Sequence, residues 1–134
     1  MRIDEIEGIG AVYAEKLSTA GVSTTEDLLT HGAKPGGRDS LATATGISHQ
    51  LILEWVNLAD LMRIPGVGSE YSDLLEAAGV DSPLELARRN AANLAQTFQE
   101  VDAARPNMVR RVPSEATIDG WIAAAKGLDR VVEH

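Results

Sequence analysis

The chain carries an internal repeat, and no other feature limits its folding choices as much. Residues 6–32 read IEGIGAVYAEKLSTAGVSTTEDLLTHG and align without gaps on residues 64–90, IPGVGSEYSDLLEAAGVDSPLELARRN, at an offset of 58. Ile6/Ile64, Gly8/Gly66, Gly10/Gly68, Tyr13/Tyr71, Leu17/Leu75, Ala20/Ala78, Gly21/Gly79, Val22/Val80 and Leu28/Leu86 are identical pairs. Further on, Ile52, Trp55 and Ala59 share their spacing with Ile118, Trp121 and Ala125 at an offset of 66, which places an eight-residue insertion in the second copy, around Arg105-Pro-Asn-Met. A repeat of this kind is one supersecondary unit built twice. The expectation is a single domain over 1–134, with pseudo-repeat one at 1–62 and pseudo-repeat two at 63–134.

Each copy reads as helical. Gly-Ile-Gly and Gly-Val-Gly let the backbone turn tightly around one aliphatic plug. The helix that follows stops at Gly21 or Gly79, where glycine accepts the left-handed conformation after a helix end, and Val22 or Val80 then tucks back. Capping boxes follow, Ser23-Thr-Thr-Glu26 and Ser82-Pro-Leu-Glu85, the second with Pro83 at the first helical position. A third element contains Leu41 or Leu94, and a fourth starts at Ser48 or Ser114 and carries the tryptophan. Leu51, Ile52, Trp55, Leu58, Ala59 and Met62 form one helical stripe. No stretch alternates with a period of two, so no strand is expected. The predicted fold class is all-α, about nine helices packed as one compact domain.

The apolar fraction is 44 % with only 4 % aromatics, so Ala, Leu, Val and Ile must fill the interior. The absence of cysteine excludes disulfides, thiolate metal sites and cysteine nucleophiles. No apolar run reaches membrane-spanning length, and Met1-Arg-Ile-Asp-Glu has no signal-peptide pattern, so no membrane association and a cytoplasmic location are expected. The net charge is −8, divided as −5 over residues 1–62 and −3 over 63–134. The one locally basic stretch runs from Arg88 to Arg111, with Arg88, Arg89, Arg105, Arg110 and Arg111 against Glu100 and Asp102.

The pattern Gly-(Ile/Val)-Gly, a helix ending in Ala-Gly-Val, and a second capped helix resembles the helix-hairpin-helix superfamily. It is similar to small helical domains of RecA-like recombinases and of the C-terminus of the RNA polymerase α subunit. Over the whole chain, Gly8-Ile-Gly with Tyr13-Ala-Glu-Lys-Leu, the run Ile52 to Arg63, and Val109-Arg-Arg-Val-Pro-Ser resemble the domain-of-unknown-function family numbered 4332. The superfamily resemblance implies tandem helix-hairpin-helix repeats and a mechanism: backbone N–H groups at a helix N-terminus presented to phosphate, without reading bases. The donors it implies are Gly66, Gly68 and Ser69 in the second hairpin, with Gly8, Gly10 and Ala11 as a weaker first set. Asp4, Glu5, Glu7 and Glu15 crowd the first hairpin and would repel phosphate, whereas Arg63 precedes the second. Glycine turns also serve purely for packing, and both hairpins are open to that reading.

Two functions from different classes follow. One is sequence-independent DNA binding through the second hairpin and the cations Arg63, Arg88, Arg89, Arg110 and Arg111. The other is a protein-interaction adaptor with an acidic surface. Convergence of those arginines beside the second hairpin favours nucleic acid, and their dispersal favours a protein partner. No enzyme, cofactor or metal is expected: no nucleotide-binding loop or nucleophile motif occurs, and His31, His49 and His134 lack ligand spacing. Trp55 and Trp121, on apolar stripes, read as core. The run Ala33-Lys-Pro-Gly-Gly-Arg38 reads as a connector that could contact an anion.

Overall fold

The computed structural model describes residues 1–134, and every regular element in it is a helix. A 3-10 turn, Ile3–Glu5, precedes α1 (Gly10–Thr19), α2 (Thr25–Gly32), α3 (Pro35–Thr45), α4 (His49–Leu61), α5 (Ser69–Ala77), α6 (Pro83–Ala87), α7 (Ala91–Ala104) and α8 (Glu115–Lys126). The fold is all-α, with eight α-helices; the single extended pairing is an isolated bridge between Arg2 and Thr24. None of the helices is long and apolar enough to cross a membrane.

The chain divides into two compact units, Met1–Asp60 with Arg130–His134, and Leu61–Asp129. In the first, α3 packs against α1 and α2. In the second, α8 packs against α6 and α7, and α5 against α7. The core of the second unit gathers Val67, Leu74, Leu75, Val80, Leu86, Leu94, Phe98, Ile118 and Trp121, aliphatic apart from two rings. Val12, which shares α1 with the buried Leu17, is 68 % exposed and lies off the core face.

Why α1 and α5 stop is visible in the backbone. Gly21 N–H donates to Ser18 O (3.0 Å) and Val22 N–H to Leu17 O (2.9 Å); Gly79 and Val80 do the same to Glu76 and Leu75, both at 2.9 Å. This crossed pair of bonds satisfies the last carbonyls and needs a left-handed residue after the cap. Gly21 and Gly79 supply it at φ 89° and 91°. Gly21→Val and Gly79→Val should therefore each destabilise the protein by about 1–2 kcal/mol or more, the cost of a left-handed L-residue. At Gly21 an added Cβ meets nothing within 4 Å, so the loss there is chiefly backbone strain. Unchanged melting temperatures for both variants would contradict the assignment.

Helix α2 starts one residue later than the Ser23/Glu26 box implies. Thr24 is the N-cap: its hydroxyl accepts from Asp27 N–H (3.0 Å), and the Asp27 carboxylate accepts from the N–H groups of Ser23 (3.1 Å) and Thr24 (3.2 Å). The chain start holds this register, with Ile3 N–H donating to Ser23 O and Thr25 N–H to Met1 O. These bonds, led by the Ser23 N–H, hold the Asp27 carboxyl below its ordinary range. The stabilisation is thus complete above the usual aspartate pKa, about 3.9, and is lost as pH falls through the lower folded value. Asp27→Asn should melt below wild type near neutral pH, and the gap should close in melts below the carboxylate range. A gap independent of pH would contradict this.

The run 33–38 is a helix start and not a connector. Lys34 is the N-cap and Pro35 the first residue of α3. A Cβ on Gly37 would collide with His31 O, and one on Gly32 would lie 2.5 Å from Val56 Cγ2. Glycine at position 37 lets α3 close directly onto the end of α2, and glycine at position 32 lets Val56 of α4 approach the same helix end. Arg38, 2 % exposed, is buried by that approach and faces protein carbonyls, not solvent anions.

Candidate functional site

The second glycine hairpin is built by Gly66 at φ 88° and by Gly68, the extended N-cap of α5. Beneath it lies Trp121: a Cβ on Gly66 would come within 3.3 Å of the indole Nε1. Tyr71 leans on the same indole, with ring centroids 5.1 Å apart and planes at 55°. The first unit shows the same grouping, with Gly8 over Trp55 Nε1 and Tyr13 5.2 Å from Trp55 at 57°. The hairpins differ at their second glycine, which has φ 63° at Gly10 and −106° at Gly68.

The long connection after α7 returns to the start of α5. Arg110 N–H donates to Glu70 Oε1 (2.8 Å), and Arg110 Nε lies 3.2 Å from Glu70 Oε2. The Tyr71 hydroxyl donates to Arg111 O (2.9 Å). These bonds pin the Arg110-Arg111 backbone against the first turn of α5. The result is an open cleft of about 260 Å³ lined by Gly68, Ser69, Glu70, Tyr71, Arg110 and Arg111. The Ser69 hydroxyl oxygen is buried there without a hydrogen-bond partner.

Of the residues singled out by sequence, the structure brings Gly68, Ser69, Arg110 and Arg111 into this cleft and leaves the other arginines elsewhere. Arg63 donates to Asp129 O (2.9 Å). Arg89 donates to Gly79 O (3.2 Å) and pairs with Glu85 (3.3 Å), closing the end of α5. Arg88 is the exposed C-cap of α6. Gly66 lies in the turn before the cleft and is not among its lining residues. The first hairpin exposes Gly8, Gly10 and Ala11 beside exposed Asp4, Glu5 and Glu7, and Arg2 pairs with Asp4 (2.9 Å). Lys16 Nζ lies 6.0 Å from the Tyr13 ring centroid.

Glu70 acts as the clamp for Arg110 through a contact across forty positions that local sequence pattern does not encode. The histidines have local partners: His31 Nδ1 is 2.9 Å from Asp27 O, His49 Nε2 3.3 Å from Asp39 Oδ1, and His134 Nε2 2.9 Å from Asn57 Oδ1. No three His, Asp or Glu side chains group as a metal site would require.

Compared with known proteins, residues 7–128 match a family model described as "Domain of unknown function (DUF4332)". No curated protein and no solved structure matches the chain.

Proposed function

We propose that this chain, which belongs to the DUF4332 family, is a non-catalytic binding module that docks a protein partner at the cleft between α5 and Arg110-Arg111. One observation carries the reading: the arginines are dispersed, and three of the five, Arg63, Arg89 and Arg110, are engaged within their own unit. Arg63 and Arg89 bond to backbone carbonyls of their own unit, and Arg110, though its side chain is 93 % exposed, is balanced by Glu70. The cleft then presents roughly one outward positive charge, that of exposed Arg111, beside a polar turn and the Tyr71 ring. Such a site suits one carboxylate on a protein surface. A duplex carries one charge per about 1.7 Å of axis, and non-specific affinity grows with the number of phosphates neutralised.

A second reading, sequence-independent DNA binding of helix-hairpin-helix type, has its own support. Gly68, Ser69 and two arginines share one cleft at a helix N-terminus, where backbone N–H groups and the helix dipole favour an anion. The two readings separate in one titration series. The chain is titrated at low salt against a fluorescent duplex and against a panel of labelled acidic peptides. The adaptor reading expects saturable binding to a subset of the peptides that Arg111→Glu weakens about tenfold or more, since it removes a charged contact worth about 1.4 kcal/mol and sets a like charge in its place. Duplex binding should be negligible, or should fall with salt at a logarithmic slope no steeper than about −1 to −2. Duplex binding with a steep slope, abolished by Arg110→Glu with Arg111→Glu, would replace the adaptor with the nucleic-acid reading.

A further inference from the structure

Residues Arg130–His134 have no regular structure, yet they belong to the first unit. Val132 is 1 % exposed, while Arg130, Val131, Glu133 and His134 lie exposed around it. Both main-chain groups of Glu133 are held: its N–H donates to Ala33 O (2.7 Å), and its carbonyl accepts from Arg38 Nη2 (2.7 Å). This is the exchange made by one hydrogen-bonded pair in an antiparallel ladder, with a guanidinium in place of one backbone N–H. His134 Nε2 adds a contact with Asn57 Oδ1 (2.9 Å).

The receiving surface is assembled without the segment. Arg38 Nη1 also donates to Gly32 O (2.8 Å) and Ala33 O (3.2 Å), so the end of α2 holds the guanidinium whatever the segment does. We propose that this surface is a recognition site for an extended peptide, filled here by the chain's own strap, and that its exchange occupant is the same segment of a second copy. The main-chain clamp tolerates any side chain at the Glu133 position, and the pocket that takes Val132 supplies selectivity, the division of labour in strand-addition recognition. A strap held by one buried side chain and a few polar bonds opens locally without the rest of the fold. Tethered at Asp129, it refills its own site at high effective concentration, so exchange is seen when that strap is weakened.

The test uses the full chain carrying Val132→Asp, with its fold checked by circular dichroism, titrated with a fluorescein-labelled peptide of residues 128–134. Binding should be saturable and about tenfold or more tighter than to wild type, whose own strap competes. It should vanish for the peptide with aspartate at the Val132 position. A folded variant that binds no peptide, or that binds it no better than wild type does, overturns the proposal. Hydrogen exchange on the wild-type chain gives an independent measure should the variant fail to fold. The Glu133 amide should exchange by local opening, about a hundredfold or more faster than the Trp55 and Val56 amides of α4. Exchange at the same rate as those amides would make the strap an inseparable part of the core and would also overturn the proposal.

Discussion

Trp55→Ala and Trp121→Ala should each lower stability by about 3–5 kcal/mol, the cost of removing a large buried ring whose cavity does not collapse. Trp55 is 2 % and Trp121 4 % exposed. Each ring is also a platform, since a hairpin glycine sits over its Nε1 and a tyrosine leans on its face. Truncation therefore removes apolar burial and, with it, an aromatic pair worth about 0.5–1.5 kcal/mol. Either loss is a large share of the 5–15 kcal/mol that keeps a domain folded. Trp→Phe at either position should cost less than the alanine variant, because a ring remains under the glycine. Urea melts of the four variants read the result directly. Denaturation midpoints within error of wild type for either alanine variant would contradict a core role for that tryptophan.

The parts of this structure that were legible in sequence are those governed by short-range backbone needs. A glycine after a helix whose next residue is valine at both Gly21 and Gly79, and the matched Trp positions on apolar stripes, foretell the helix ends and the buried tryptophans, because left-handed φ and aromatic burial depend on few neighbours. The first turn of α2 shows where this fails. Ser23…Glu26 and Thr24…Asp27 both satisfy the capping pattern, and the choice between them is made by residues 1–3 pairing with 23–25, a contact outside any local window. The arginines fail for a related reason. Arg88 and Arg89 are sequence neighbours just past the last residue of α6, Ala87, but their side chains go to different places. One reaches back to Gly79 O while the other caps α6 in solvent. A count of local charge made them a patch, and the fold separates them. The strap has no periodicity at all, and Val132 is an unremarkable aliphatic until its burial is known.

Arg38 is the sharpest departure from the sequence reading, and Arg38→Met should cost about 3 kcal/mol or more. Two effects compete. Methionine relieves the desolvation of a buried guanidinium, a gain moderated because that group is only weakly hydrated in water. Against it stand three hydrogen bonds from a charged donor, to Gly32 O, Ala33 O and Glu133 O. Ala33 O keeps the Glu133 N–H, so the variant strands chiefly the carbonyls of Gly32 and Glu133, at about 1–3 kcal/mol for each one left buried without a partner. The positive end of Arg38 also faces the C-terminus of α2, where a cation is favoured. The carbonyl terms therefore win. Arg38→Lys should recover only part of the loss, since one ammonium cannot span the end of α2 and the strap together, as the planar guanidinium fork does. Weakening the strap alone with Val132→Asp leaves the Arg38 bonds to α2 in place, yet it also buries a charge or expels the segment. Its melt should therefore fall while Glu133 alone loses protection from exchange, whereas Arg38→Met should loosen the amides at the start of α3 as well. Denaturation of Arg38→Met at wild-type urea concentration would mean that desolvation and hydrogen bonding cancel at this site.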